Sequence, residues 1–227
     1  MGSFRESLTD ADRAWIEQQK VYFVATAPLS GSGRVNASPK GYDSLRVADA
    51  NRIILLDGRG SGCETIAHVR ENGRITIMMC AFEGAPRIMR LLGHASVYEP
   101  GSPQFDELFE EYFAAHWRDP ARFKFVRSII DVHVDLVGQS CGFAVPLMDY
   151  QSDRQTLVKY QAGKSDAELA KRRAEYNTTS IDGIPSYLNG TDSGMGSAAL
   201  RLARRALPWA GAAAFGAAVA LAVARPR

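Results

Sequence analysis

The clearest periodicity in the chain lies at residues 125–137, where apolar and polar positions alternate. Ile130, Val132, Val134 and Leu136 fall on one face, with Asp131, His133 and Asp135 on the other. That pattern predicts a strand with one dry face and one polar or interfacial face. Shorter β-rich runs precede it. Segments 21–27 and 34–38 flank the turn Leu-Ser-Gly-Ser-Gly and predict a hairpin, with Pro39 ending its regular pairing before Lys40. Segments 44–48 and 52–57 flank Asp49-Ala50-Asn51 and predict a second hairpin. Segments 74–80 and 86–98 read as further strands, the latter interrupted at Gly93. Helices are predicted at 9–19, capped by Thr9; at 64–71, closed by Asn72-Gly73; at 103–115; and at 165–176, where Ser165 and Glu168 have capping-box spacing. Strands cluster between 21 and 137 with only short helices between them and no internal repeat. The expected fold class is mainly β: an antiparallel β-barrel with peripheral helices.

Size adds one domain and appendages. The 227 residues divide into a domain at 1–188, a Gly/Ser-rich flexible linker at 189–197, and a C-terminal helix at 198–227. Residues 206–224 carry no charge, are flanked by arginines and hold Trp209 near one edge. About 19 helical residues span ~28 Å, close to a bilayer core, so this segment is a candidate membrane anchor; a surface-packed helical tail is the alternative. No secretory signal is visible at the N-terminus. The net charge of +2 argues against a nucleic-acid surface. Cys63, Cys80 and Cys141 form no CxxC, so a reducing, cytoplasmic compartment is expected. Cys141, at the end of a buried-looking strand, is expected to be a packed small residue. The four histidines show no metal-ligand spacing, and no metal is expected.

Candidate chemistry sits in three patches. Arg34, Asn36 and Ser38 share one face of an extended segment, followed by Lys40. Segment 58–65 (Gly-Arg-Gly-Ser-Gly-Cys-Glu-Thr) opens a helix, where bare N–H groups seat an anion such as phosphate. Residues 86–93 add Arg87 and Arg90. Together the patches supply amides, hydroxyls and cations, the donor set that a phosphate needs.

The order Val-Tyr-Phe-Val-Ala-Thr-Ala, Arg-Val-Asn-Ala-Ser-Pro-Lys-Gly, Glu-Thr-Ile-Ala-His-Val-Arg-Glu-Asn-Gly-Arg, Pro-Arg-Ile-Met-Arg and Gln-Ser-Cys-Gly resembles the pyridoxamine 5'-phosphate oxidase-like, FMN-binding split-barrel family over about residues 20–145. The resemblance implies a split β-barrel that works as a homodimer with FMN at the interface and a small-molecule substrate. It implies that Arg34, Asn36, Ser38 and Lys40 line the cofactor. Arg59, Ser61, Gly62 and Thr65 would hold its phosphate, Arg90 would add charge, and Ser140 and Cys141 would reach the flavin of the other subunit. Departures from the family pattern argue against vitamin B6 oxidation. Glu64-Thr65 replaces basic residues at the helix start, Ile88 stands for a glutamine, and the C-terminal tryptophan-and-arginine segment is missing. The match is closer to an uncharacterised branch.

Three function classes follow. The first is an FMN-dependent oxidoreductase, with Lys40, Tyr42 and His68 near the chemistry by location alone. The second is the same barrel with a deazaflavin, whose acidic tail Arg46, Arg87 and Arg90 would meet, or with haem ligated by His94 or His133. The third is a flavin-binding module without turnover, tethered to a membrane through 206–224.

Overall fold

A computed structural model describes residues 2–186; the linker and C-terminal segment expected at 189–227 lie outside them. Eight strands form one antiparallel sheet: β1 (Ser3–Arg5), β2 (Tyr22–Thr26), β3 (Asn36–Lys40), β4 (Leu45–Asp49), β5 (Arg52–Gly58), β6 (Arg74–Cys80), β7 (Ile88–Tyr98) and β8 (Val126–Ser140). Their order is β3-β2-β6-β7-β8-β5-β4, with β1 paired to β8. Both predicted hairpins form. Pro39 does not end the first one: it pairs with Phe23, and Lys40 pairs with Tyr22. β3 is an edge strand, and edges tolerate a residue without an N–H.

Register assigns every residue to a face. Ser38, Val24, Ile77, Leu91 and Val137 form one cross-strand row, and its four apolar members are almost fully buried. They share a core cluster with Val47, Ile53, Leu55, Ile130, Val132 and Val134. Burying the same face of nearly every strand rolls the sheet around this core. Contacts between distant strands confirm the curl: Lys40 Nζ on β3 donates to Asp57 Oδ1 on β5 at 3.2 Å, and Tyr22 hydroxyl meets Ser44 Oγ at 2.9 Å. This is the split-barrel arrangement of a mainly β fold.

The long alternating strand holds a correction. Gly93 pairs with Val134 and Leu92 with Leu136, so β8 has one extra residue, Asp135, at a bulge. Past it, Val137 faces the core and Leu136 joins the opposite face, not the face of Ile130, Val132 and Val134. β7 is therefore shifted in register at Gly93 and not broken there.

Helices cover the rest. α1 (Asp10–Gln18) starts with the capping box of Thr9 and Asp12. α2 (Glu64–Asn72) ends at Gly73, which takes the left-handed conformation (φ 76°). The helix expected at 103–115 is split by Phe113 (φ −129°) into α3 (Pro103–Tyr112) and α4 (Ala114–Trp117). With α5 (Pro120–Phe123) and α6 (Thr156–Ala162), they contribute to a second apolar cluster. Phe105, Phe109, Phe113, Trp117 and Phe125 pack there on Ile54, Leu56 and Ile129. β5 and the middle of β8 are thus buried on both faces. α7 (Asp166–Tyr176) begins with the expected Ser165/Glu168 box.

Candidate functional site

The glycine-rich stretch 58–65 connects β5 to α2, and its anchor is Asp57. This carboxylate is buried and accepts from Arg127 Nε at 2.7 Å, Lys40 Nζ at 3.2 Å and Ser128 Oγ at 3.3 Å. Burial alone would raise its pKa; the charges of Arg127 and Lys40 outweigh that and hold it at about 2. Arg127 also donates to the Gly62 carbonyl at 2.7 Å, so a single buried guanidinium ties the strand end to the loop before the helix. Gly58 has a packing role. The Phe125 ring lies where its Cβ would stand, 2.0 Å from the nearest ring carbon. Arg59 Nε donates to Lys124 carbonyl at 3.0 Å.

β3 presents Asn36, Ser38 and Lys40 on the core-facing side, and this stripe runs from the start of α2 to Asp57. Asn36 Nδ2 donates to Thr65 Oγ1 at 3.1 Å and Thr26 Oγ1 at 3.3 Å, and Ser38 Oγ donates to Asn36 Oδ1 at 3.0 Å. Cys63, the cap residue of α2, makes no side-chain capping bond. Thr26 Oγ1 meets Nδ1 of the buried His68 at 3.0 Å. Burial pushes the His68 pKa below its ordinary value, with Glu71, Glu64 and Asp182 opposing the shift. A histidine that resists protonation in the fold favours the unfolded chain once the solution falls below the unfolded pKa of about 6.5. Urea midpoints are expected to drop between pH 7.5 and 5.5. His68→Gln is expected to lose part of that dependence.

The structure therefore brings Asn36, Ser38, Lys40 and Thr65 into one stripe, while Arg34 precedes β3 and pairs with Asp182, and Gly62 is held through its carbonyl by Arg127. Ser61 is exposed on the loop beside it. Arg90 does not join them. It belongs to the row Pro39–Phe23–Met78–Arg90–Gly138, on the opposite face of the sheet, where its Nη1 donates to Ser140 Oγ at 3.3 Å. Cys141 is exposed, contrary to the packed role expected for it, because β8 ends at Ser140. Cys63 and Cys80 are the buried thiols, and burial pushes both upward in pKa.

Lys40, Ser140 and Cys141 meet at the wall of a cleft of ≈ 1310 Å³. Trp15, Phe23, Tyr42 and Arg87 also line it. The Arg87 guanidinium stacks over Trp15 at 4.6 Å and pairs with Asp12, a buried carboxylate that also binds Arg5 and Gln139. Sequence reasoning missed Asp57, Arg127 and Asp12. Asp57 and Arg127 sit in apolar strand sequence with nothing to mark them as partners. Asp12 was visible only as a first-turn helix acid.

Among the described residues no group of histidine, cysteine or acid side chains could hold a metal, and no helix is long and apolar enough to cross a membrane. The anchor expected at 206–224 lies outside the described residues.

The pyridoxamine 5'-phosphate oxidase family model matches residues 8–141. The pyridoxamine 5'-phosphate oxidase family protein ustO of Aspergillus flavus is 36% identical over 202 residues, covering 82% of this chain and 78% of that protein. Among solved structures, HupZ of Group A Streptococcus is similar at 22% identity and a TM-score of 0.44, covering 57% of this chain and 91% of that one. A FAD-binding protein of Mesorhizobium loti is similar at 12% identity and a TM-score of 0.40, covering 60% and 96%. On the first two matches, the chain belongs to the pyridoxamine 5'-phosphate oxidase family.

Proposed function

We propose that the protein is an FMN-dependent oxidoreductase acting on a small molecule, with its cofactor at the seam of a homodimer. The observation that carries this reading is the Asn36–Ser38–Lys40 stripe facing the start of α2, joined to it by the Asn36–Thr65 hydrogen bond. The donor set suits a flavin phosphate: the first-turn amides of a helix without a side-chain cap, the Ser61 and Thr65 hydroxyls, and the cations Arg34 and Arg59. When bound, FMN supplies hydride or electron transfer. The chain supplies binding and orientation, and Lys40, fixed by Asp57, supplies a cation at the cleft wall.

The dimer belongs to the same reading. Arg90 stands on the outer sheet face with Phe23, Met78 and Leu92, all partly exposed, and Phe4, 70% exposed. A second copy covering this face would bury apolar surface and bring Arg90, Ser140 and Cys141 to its neighbour's flavin.

The test is a visible spectrum and an FMN titration of the full-length protein. Near-stoichiometric flavin bands are expected. Arg34→Gln with Arg90→Gln is expected to weaken FMN binding by roughly tenfold or more, since each charge-assisted hydrogen bond contributes about 1.5–3 kcal/mol. Unchanged affinity in the double variant would refute the assigned cradle. A Soret or deazaflavin band would transfer the barrel to haem or deazaflavin chemistry.

A further inference from the structure

We propose that residues 177–186 form an intramolecular strap that competes with the ligand's phosphate for Arg34, so that phosphate entry releases the strap tip. This inference rests on the flavin-phosphate reading above. After α7 the chain doubles back in a closed turn, with Thr179 bridged to Pro185 and Ser180 N–H donating to Ile184 carbonyl at 2.8 Å. The turn has a buried footing and an exposed tip. At the footing, Asn177 and Ser186 are buried, and the Ser186 hydroxyl donates to the Asn177 carbonyl. Asn177 Nδ2 lies 3.3 Å from the carbonyls of both Gly60 and Gly62, inside the proposed phosphate loop.

At the tip, Asp182 accepts from the Arg34 backbone N–H at 2.7 Å and from its guanidinium at 2.5 Å. Ile181 N–H donates to Glu64 Oε1 at 3.3 Å, and the Glu64 carboxylate folds over the Gly62 α-carbon. Two carboxylates from the same chain therefore stand where the reading places an anion. One occupies the Arg34 cation and the other covers the loop glycine.

The footing and the tip differ in strength. The Arg34 side chain is 68% exposed, and Ile181 is 69% exposed. The Asp182 side chain is 13% exposed, but its partner guanidinium stands in solvent, and an ion pair with one side open to water is weak. A phosphate near its second ionisation carries more charge and three acceptor oxygens, so it outcompetes one carboxylate for the same guanidinium. Once Asp182 lets go, the Ile181 N–H leaves Glu64, whose carboxylate is then free to turn from the incoming charge. The buried Asn177–Ser186 footing keeps the strap attached to the domain. A neutral ligand with no phosphate has nothing to exchange for the Asp182 contact and leaves the strap closed.

Hydrogen exchange on the full-length protein tests this, with FMN, with riboflavin and with neither. FMN is expected to speed exchange of the amides at 181–184, while riboflavin leaves them unchanged. Asp182→Asn is expected to bind FMN about two- to fivefold tighter, matching the weak pair it removes, with riboflavin affinity unaltered. Slower exchange with FMN, or weaker FMN binding by the variant, would overturn the proposal and make the strap a clasp that helps hold the cofactor. Equal exchange and equal affinity would remove any competition while leaving the flavin reading standing. Failure of the wild-type protein to bind FMN at all would overturn both.

Discussion

Replacing Asp57 by alanine is expected to cost about 3–5 kcal/mol of stability, because it removes the carboxylate facing a buried guanidinium. The Arg127 side chain is 4% exposed and that of Asp57 1% exposed, so water cannot take over the lost contact. Lys40 suffers less, since a quarter of its side chain reaches solvent at the cleft. Arg127 also holds the Gly62 carbonyl, so the loop into α2 is expected to loosen with the core. Urea denaturation checks the magnitude. Asp57→Ala with Arg127→Met is expected to recover much of the loss, because removing both charges removes the desolvated one. If the double variant is as unstable as the single, the ion pair is not the cause. The acid dependence has a definite sign. The folded pKa of Asp57, about 2, lies below its ordinary value, so its contribution is complete above pH ~4 and is lost as pH falls toward 2.

Gly93→Ala is the second large effect. A Cβ at Gly93 would stand 1.9 Å from the His133 carbonyl oxygen and 3.1 Å from the Val134 α-carbon. These are backbone atoms of the neighbouring strand and cannot rotate away. The two strands must separate at the bulge, at a cost of about 3 kcal/mol. Gly60→Ala is the control: its Cβ meets nothing within 4 Å, and a change within about 0.5 kcal/mol is expected. Thermal or urea unfolding of the two variants checks the contrast. Equal stability would mean that the bulge absorbs a side chain.

The bulge also sets the geometry of the candidate site. The sign of every residue past Asp135 depends on it, and Ser140, Cys141 and the row holding Arg90 all lie beyond that point. Alternation in 125–137 made the strand legible, yet it put Leu136 on the wrong face. Gly93 was legible as an interruption. That it marks a close approach of two backbones depends on the strand that pairs with it, which no local pattern names.

Part of the candidate site is local in the sequence. Lys40 joins the β3 stripe only because pairing runs on through Pro39, against the break expected there, but Asn36 and Ser38 share a face by the period of a strand, and Thr65 opens a helix by the signals before it. These are local properties, set by backbone geometry within a few residues. The chain alone thus determined strands β2 to β8, both hairpins, helices α1, α2 and α7 and the family motifs, but not β1, α6 or the break between α3 and α4. Tertiary structure alone decided that Arg127 meets Asp57 across 70 residues, that Arg90 faces away from the β3 stripe, and that Asp182 reaches Arg34 across 148. Sequence separation carries no information about direction in space. Partners that far apart are chosen by sheet order, register and curl, which exist only once the whole core has packed.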